Sequence, residues 1–110
     1  MNYEEKYKLA WKYLEENNYH EGLNLFQELV KDNYGDAIYD LAGIHYHGQY
    51  NLPKDNDKAA AYYEKAFLIK KDRKILRDLM YVQVENIGKT RTLFYILFKK
   101  NILSTLAKSQ

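Results

Sequence analysis

The chain is 110 residues long, with 17 Lys and Arg against 15 Asp and Glu, a formal net charge of +2, and no cysteine. That length suits one domain burying roughly 65% of its unfolded surface. The lack of cysteine excludes disulfides, thiolate zinc sites and cysteine nucleophiles.

No stretch approaches the ~20 apolar residues of a membrane span. The opening MNYEEKYKLAWKYLEENN has no apolar h-region, so no signal peptide is expected and the protein reads as soluble and cytoplasmic. The net charge hides a split. Residues 1–66 carry seven Lys/Arg and twelve Asp/Glu, a net of −5, whereas residues 67–110 carry ten and three, a net of +7. Such asymmetry can attract a partner of either sign.

Residues 3–32 read as a first helical hairpin. Asn2 is placed to cap its opening helix, with Glu4 and Glu5 in the first turn against the helix dipole. Asn17 and Asn18 make the turn. In the second helix, Gly22 costs about 1 kcal/mol relative to alanine, a cost that a tight helix crossing explains. The segment DNYGD, residues 32–36, breaks this hairpin and caps the next helix.

Residues 36–71 read as a second, longer hairpin. Ala37, Leu41, Ile44 and Gly48 fall at i, i+4, i+7 and i+11, one face of a helix that Gly48 closes. Pro53 marks a loop and Asp55 an N-cap. Ala59, Tyr62, Tyr63 and Ala66 then form a second helical face, with small residues where helices approach closely. Ala10 and Tyr13 precede Ala42 and His45 by 32 positions, whereas Gly22, Phe26 and Leu29 precede Ala59, Tyr63 and Ala66 by 37. The two units are therefore copies differing by five residues in the loop.

Residues 72–110 read as a degenerate third hairpin closing the array. Asp72 caps a helix running through Ile75, Leu79 and Val82 to Asn86, and Gly88 ends it. Thr90 caps a last helix with a core face of Leu93, Ile96, Leu97 and Phe98. The run LFYILF beside Lys99 and Lys100 fits a partly buried capping helix, or an oligomer face, better than a membrane-surface helix.

Leu41, Ala42, Ile44 and Gly48, followed by Leu52, Asp55, Lys58, Ala59, Tyr62, Tyr63, Lys65 and Ala66, resemble the Sel-one-like repeat, a relative of the tetratricopeptide repeat. Residues 3–32 are closer to the tetratricopeptide form. Ala42 stands where the Sel-one-like family usually has glycine, and His45 where it usually has an aromatic. The resemblance implies one all-α domain over residues 1–110, an α-solenoid of about three antiparallel hairpins.

No catalytic or cofactor set emerges. His45 and His47, two residues apart on a helix, diverge and cannot readily chelate one ion, so His45 is expected in the core. Gly88-Lys89-Thr90 lacks the second glycine of a phosphate loop, because Gln83 occupies that position. Asp55-Asn56-Asp57 has Ala60 and Ala66 where a calcium loop needs glycine and glutamate.

Aromatic residues carry the stronger signal. Twelve tyrosines, four phenylalanines and one tryptophan exceed what a few helix crossings need. Tyr7, Trp11 and Leu14 form a stripe on the first helix beside Leu9, Ala10 and Tyr13, and Tyr39, Gly43, Tyr46 and His47 form one on the third. Such rings suit an interface. The resemblance implies that this inner face holds partners, making Tyr7, Trp11, Leu14, Tyr39, Tyr46 and His47 the candidate partner-binding residues unless the closing helices fold across them.

The expected function is thus a non-enzymatic protein–protein interaction module with no cofactor. Its most concrete form is a small immunity or inhibitor protein that neutralises a cognate toxin. The alternatives are an adaptor or scaffold, and a nucleic-acid binder using the basic C-terminal third.

Overall fold

The computed structural model describes the backbone of residues 1–109 and all their side chains except those at 90, 91, 93, 94, 102 and 109. Five helices follow one another: α1 (Tyr3–Glu15), α2 (Tyr19–Lys31), α3 (Gly35–His47), α4 (Asn56–Lys70) and α5 (Arg73–Ser109). The fold is all-α, and α1–α2 and α3–α4 are the two hairpins expected from the sequence.

Local chemistry sets most helix ends. Asn2 accepts the Glu5 backbone N–H at 2.8 Å, and Asp55 accepts that of Lys58 at 3.0 Å, each satisfying an otherwise orphaned donor. Gly48 takes the left-handed conformation at φ 69° and closes α3 through its N–H to the Ile44 carbonyl at 2.9 Å. The α3 start differs from expectation: the helix begins at Gly35, and no side chain caps it.

The core lies where the two copies were aligned. Ala10, Phe26 and Leu29 of the first hairpin and Ala42, Ala59 and Ala66 of the second have no exposed surface. A Cβ on Gly22 would come within 2.7 Å of Leu14 Cδ2 and 2.9 Å of the Ala10 carbonyl oxygen, so the α1–α2 crossing leaves no room for one. His45 is buried and stacked on Tyr62, with ring centroids 5.6 Å apart and planes 13° apart. It fills the aromatic position expected of it.

The last segment departs from expectation. Gly88 does not end a helix and residue 90 does not begin one: α5 is continuous over 37 residues, about 55 Å at 1.5 Å per residue. A single helical glycine costs only about 1 kcal/mol, which good helix formers on both sides offset. Ile75, Leu79 and Val82 are buried where α5 packs against α4. Beyond Asn86 every described side chain through Lys108 is exposed. Ile96, Leu97 and Phe98, expected in a core, are 55%, 61% and 52% exposed, and Leu93 lies outside the described side chains. The molecule accordingly extends 74 Å by 29 Å by 19 Å.

Candidate binding groove

The inner wall of the molecule is formed by α1, α3 and the first half of α5, and it is stitched by hydrogen bonds from aromatic side chains to carboxylates. Tyr7 Oη and Trp11 Nε1 of α1 both donate to Asp40 of α3, the indole at 3.1 Å. Tyr39 of α3 donates to Asp78 of α5, and Tyr46 of α3 donates to Glu85 of α5 at 2.6 Å. Asn56 adds a donor to the other Glu85 oxygen at 2.9 Å. Hydrogen bonds to a charged acceptor are about twice as strong as neutral ones, so each neighbouring pair of inner helices is held by them.

The electrostatics follow from this arrangement. Burial raises the Tyr7 and Tyr39 hydroxyls above the usual phenol range, and the hydrogen bonds to Asp40 and Asp78 add to the rise. Burial also pushes Tyr63 up to about 12. Asp40 is raised by burial, opposed by the two donors it accepts from. Glu85, in contrast, is lowered, first by the Tyr46 hydroxyl and then by Asn56. These bonds hold neighbouring helices together.

Rings extend the stitching. Trp11 meets Phe26 edge-on at 5.2 Å and Tyr50 at 6.2 Å, and Tyr50 also contacts Tyr19 at 5.6 Å. Tyr50 belongs to the loop after α3, where Tyr50 and Asn51 both have positive φ. The longer loop of the second hairpin thus sends a ring back onto the first.

Between these helices lies a half-open groove of about 450 Å³. Of the six residues expected to face a partner, Trp11, Tyr39, Tyr46 and His47 line it. Tyr7 sits behind it, sharing Asp40 with Trp11. Leu14 does not face it: it is 1% exposed and lies under the α1–α2 crossing beside Gly22, so it belongs to the core. Many of the aromatic residues pack against each other, and the hydroxyls of Tyr7, Tyr19, Tyr39 and Tyr46 find acceptors within the chain. The closing helix does fold across part of this face, as Asp78 and Glu85 show, yet the groove stays open.

Sequence reasoning missed the groove's polar half: Asp40, Gln49, Lys74, Asp78 and Tyr81. Lys74, Asp78, Tyr81 and Glu85 recur at i, i+4, i+7 and i+11, a helical stripe invisible to a search for apolar faces. His47, Gln49, Lys74 and Tyr81 are exposed at the rim. Lys74 lies over the Tyr39 ring at 5.7 Å, and Lys54 over Tyr46 at 4.0 Å.

Among the described residues, no group of three or more His, Asp or Glu side chains converges on a possible ion position, and no helix is long and apolar enough to cross a membrane. Comparison with protein-family models, with curated proteins and with solved structures gives no match.

Proposed function

We propose that the protein is a non-catalytic interaction module that takes a segment of a partner protein into the groove between α1, α3 and α5. The observation that carries this reading is the groove itself: a preformed, half-open cleft with an aromatic floor and a polar rim of His47, Gln49, Lys74 and Tyr81. Fixed rings backed by satisfied hydrogen bonds lose little entropy on binding, which favours affinity. The resemblance of residues 36–71 to the Sel-one-like repeat supports the same class of function.

In its most concrete form, the module is an immunity-type inhibitor of one cognate toxin. The net charge of −5 on residues 1–66 favours a basic target. The test is capture of the partner from the native cell, followed by titration of the purified pair. Tyr81→Ala and His47→Ala, both at exposed positions, should each weaken binding by roughly tenfold, about 1.4 kcal/mol. Added salt should weaken it further. Affinity unchanged by both substitutions would overturn the groove assignment, and affinity indifferent to salt would overturn the basic target.

One observation favours a second reading. Residues 87–110 hold five Lys and Arg and no Asp or Glu, and the exposed Lys89, Lys99, Lys100 and Lys108 could meet phosphates. A flat gel-shift response to RNA and DNA at low salt removes it.

A further inference from the structure

The hydroxyl of Tyr63 is left over from the stitching of the inner wall. The residue lines the groove, is only 5% exposed and packs its ring on that of Tyr39 at 5.6 Å, yet its Oη has no hydrogen-bond partner among the described residues. Gly43 keeps the approach to that oxygen clear: a Cβ there would stand 3.6 Å from it. An unpaired hydroxyl on a side chain this buried is costly, so it points to a partner that the chain does not itself supply.

The groups around it are acidic. Burial first, then the charge of Asp78 and, after Tyr46, that of Asp40 keep the proton on the Tyr63 hydroxyl. Both carboxylates line the groove, and each uses only Oδ2 to accept from a ring donor. Of the remaining oxygens, Oδ1 of Asp40 has no partner among the described residues, and Oδ1 of Asp78 has Arg77 Nε no nearer than 3.9 Å. Lys74 is the one ammonium lining the groove, exposed at its rim 5.7 Å from the Tyr39 ring.

We infer that this floor is a subsite for a cationic side chain, lysine or arginine, on the partner segment, an inference that rests on the groove reading above. The apolar stem of such a side chain can lie against the rings of Trp11, Tyr39 and Tyr46, and the charge gains from their faces. Its head carries donors only, whereas Tyr63 Oη and the two carboxylates accept. An acidic side chain would meet Asp40 and Asp78 with like charge. An apolar one would leave the Tyr63 hydroxyl unpaired.

The test titrates blocked Gly-Xaa-Gly tripeptides, with arginine, lysine, citrulline or glutamate at the centre, against the full chain. The readout is the indole N–H resonance of Trp11, the sole tryptophan, which already bonds to Asp40. The arginine and lysine peptides should shift it saturably, and the uncharged citrulline and the glutamate peptides should bind roughly tenfold more weakly or not at all. Asp40→Asn, which keeps an acceptor for Tyr7 and Trp11 but loses the charge, should weaken the arginine peptide by roughly tenfold. Tyr63→Phe should weaken it several-fold with no fall in unfolding temperature, because that hydroxyl holds nothing in the fold. Lys74→Gln should tighten it. Equal affinity for the arginine and citrulline peptides overturns the subsite, as does full affinity in both Asp40→Asn and Tyr63→Phe, or no saturable shift with any peptide. The groove reading is then decided separately, by the His47 and Tyr81 substitutions.

Discussion

Residues 3–86 and residues 87–109 are both helical, but different forces hold them. In the first region, tyrosines and a tryptophan end on carboxylates of the next helix, and small residues let the helices of each hairpin touch. In the second, the described apolar side chains stand exposed on one helix. Hydrophobic composition alone does not distinguish the two. What separates them is packing: the first region is a scaffold with a buried core, whereas the described side chains of the second stand exposed.

Substitutions can break or sharpen that contrast. The largest effect is expected from Phe26→Ala, which empties a fully buried site between α1 and α2 and should cost about 3–5 kcal/mol in urea unfolding. Leu103→Ala, at 58% exposure, should stay within about 0.5 kcal/mol when measured at low concentration. Equal costs at the two positions would show that the outer half of α5 is packed after all.

Asp40→Ala comes next. It leaves the Tyr7 hydroxyl and the Trp11 N–H without their acceptor, at about 1–3 kcal/mol. Asp40→Asn, which keeps an acceptor, should recover part of that, and Trp11 fluorescence should report the change.

The two helical glycines should respond with opposite signs. Gly22→Ala forces a methyl against Leu14 and the Ala10 carbonyl and should destabilise by about 1–3 kcal/mol. Gly88→Ala meets nothing within 4 Å and should raise helicity, with a gain of up to about 1 kcal/mol. A loss at Gly88 would mean that the helix must bend there.

The smallest effect concerns pH. Burial, and then the nearby Lys58, lower His45 below its ordinary value of 6.5, and its Nδ1 is buried without a hydrogen-bond partner. The folded state therefore binds the proton less readily than the unfolded chain. The stability this contributes is complete above pH 6.5 and is lost as pH falls from there toward the lowered folded value. His45→Phe keeps the stacking on Tyr62 and should flatten that slope in thermal unfolding followed at several pH values.

Most of the scaffold was legible in the sequence because its determinants are local. Asn2 and Asp55 cap as their positions suggest, and the 32- and 37-residue offsets placed Ala10, Gly22, Ala59 and Ala66 correctly in the helix crossings. Four of the six proposed groove residues line the cleft. Leu14 was misplaced because a seven-residue stripe on α1 is broad enough to straddle core and groove. The carboxylates escaped notice because a charged residue on a helix reads as solvated unless its distant donor is known: Tyr39 and Asp78 are 39 positions apart. The continuity of α5 was missed for a different reason. Glycine is only a weak local signal, and whether a helix turns back depends on packing that spacing does not encode.

The division of α5 near Asn86 is tested most directly by amide hydrogen exchange along that helix. Protection should be strong from Ile75 to Val82 and weak beyond Ile87 in dilute solution. Uniform protection along the whole helix in dilute solution, or a lack of it in both halves, would contradict the account.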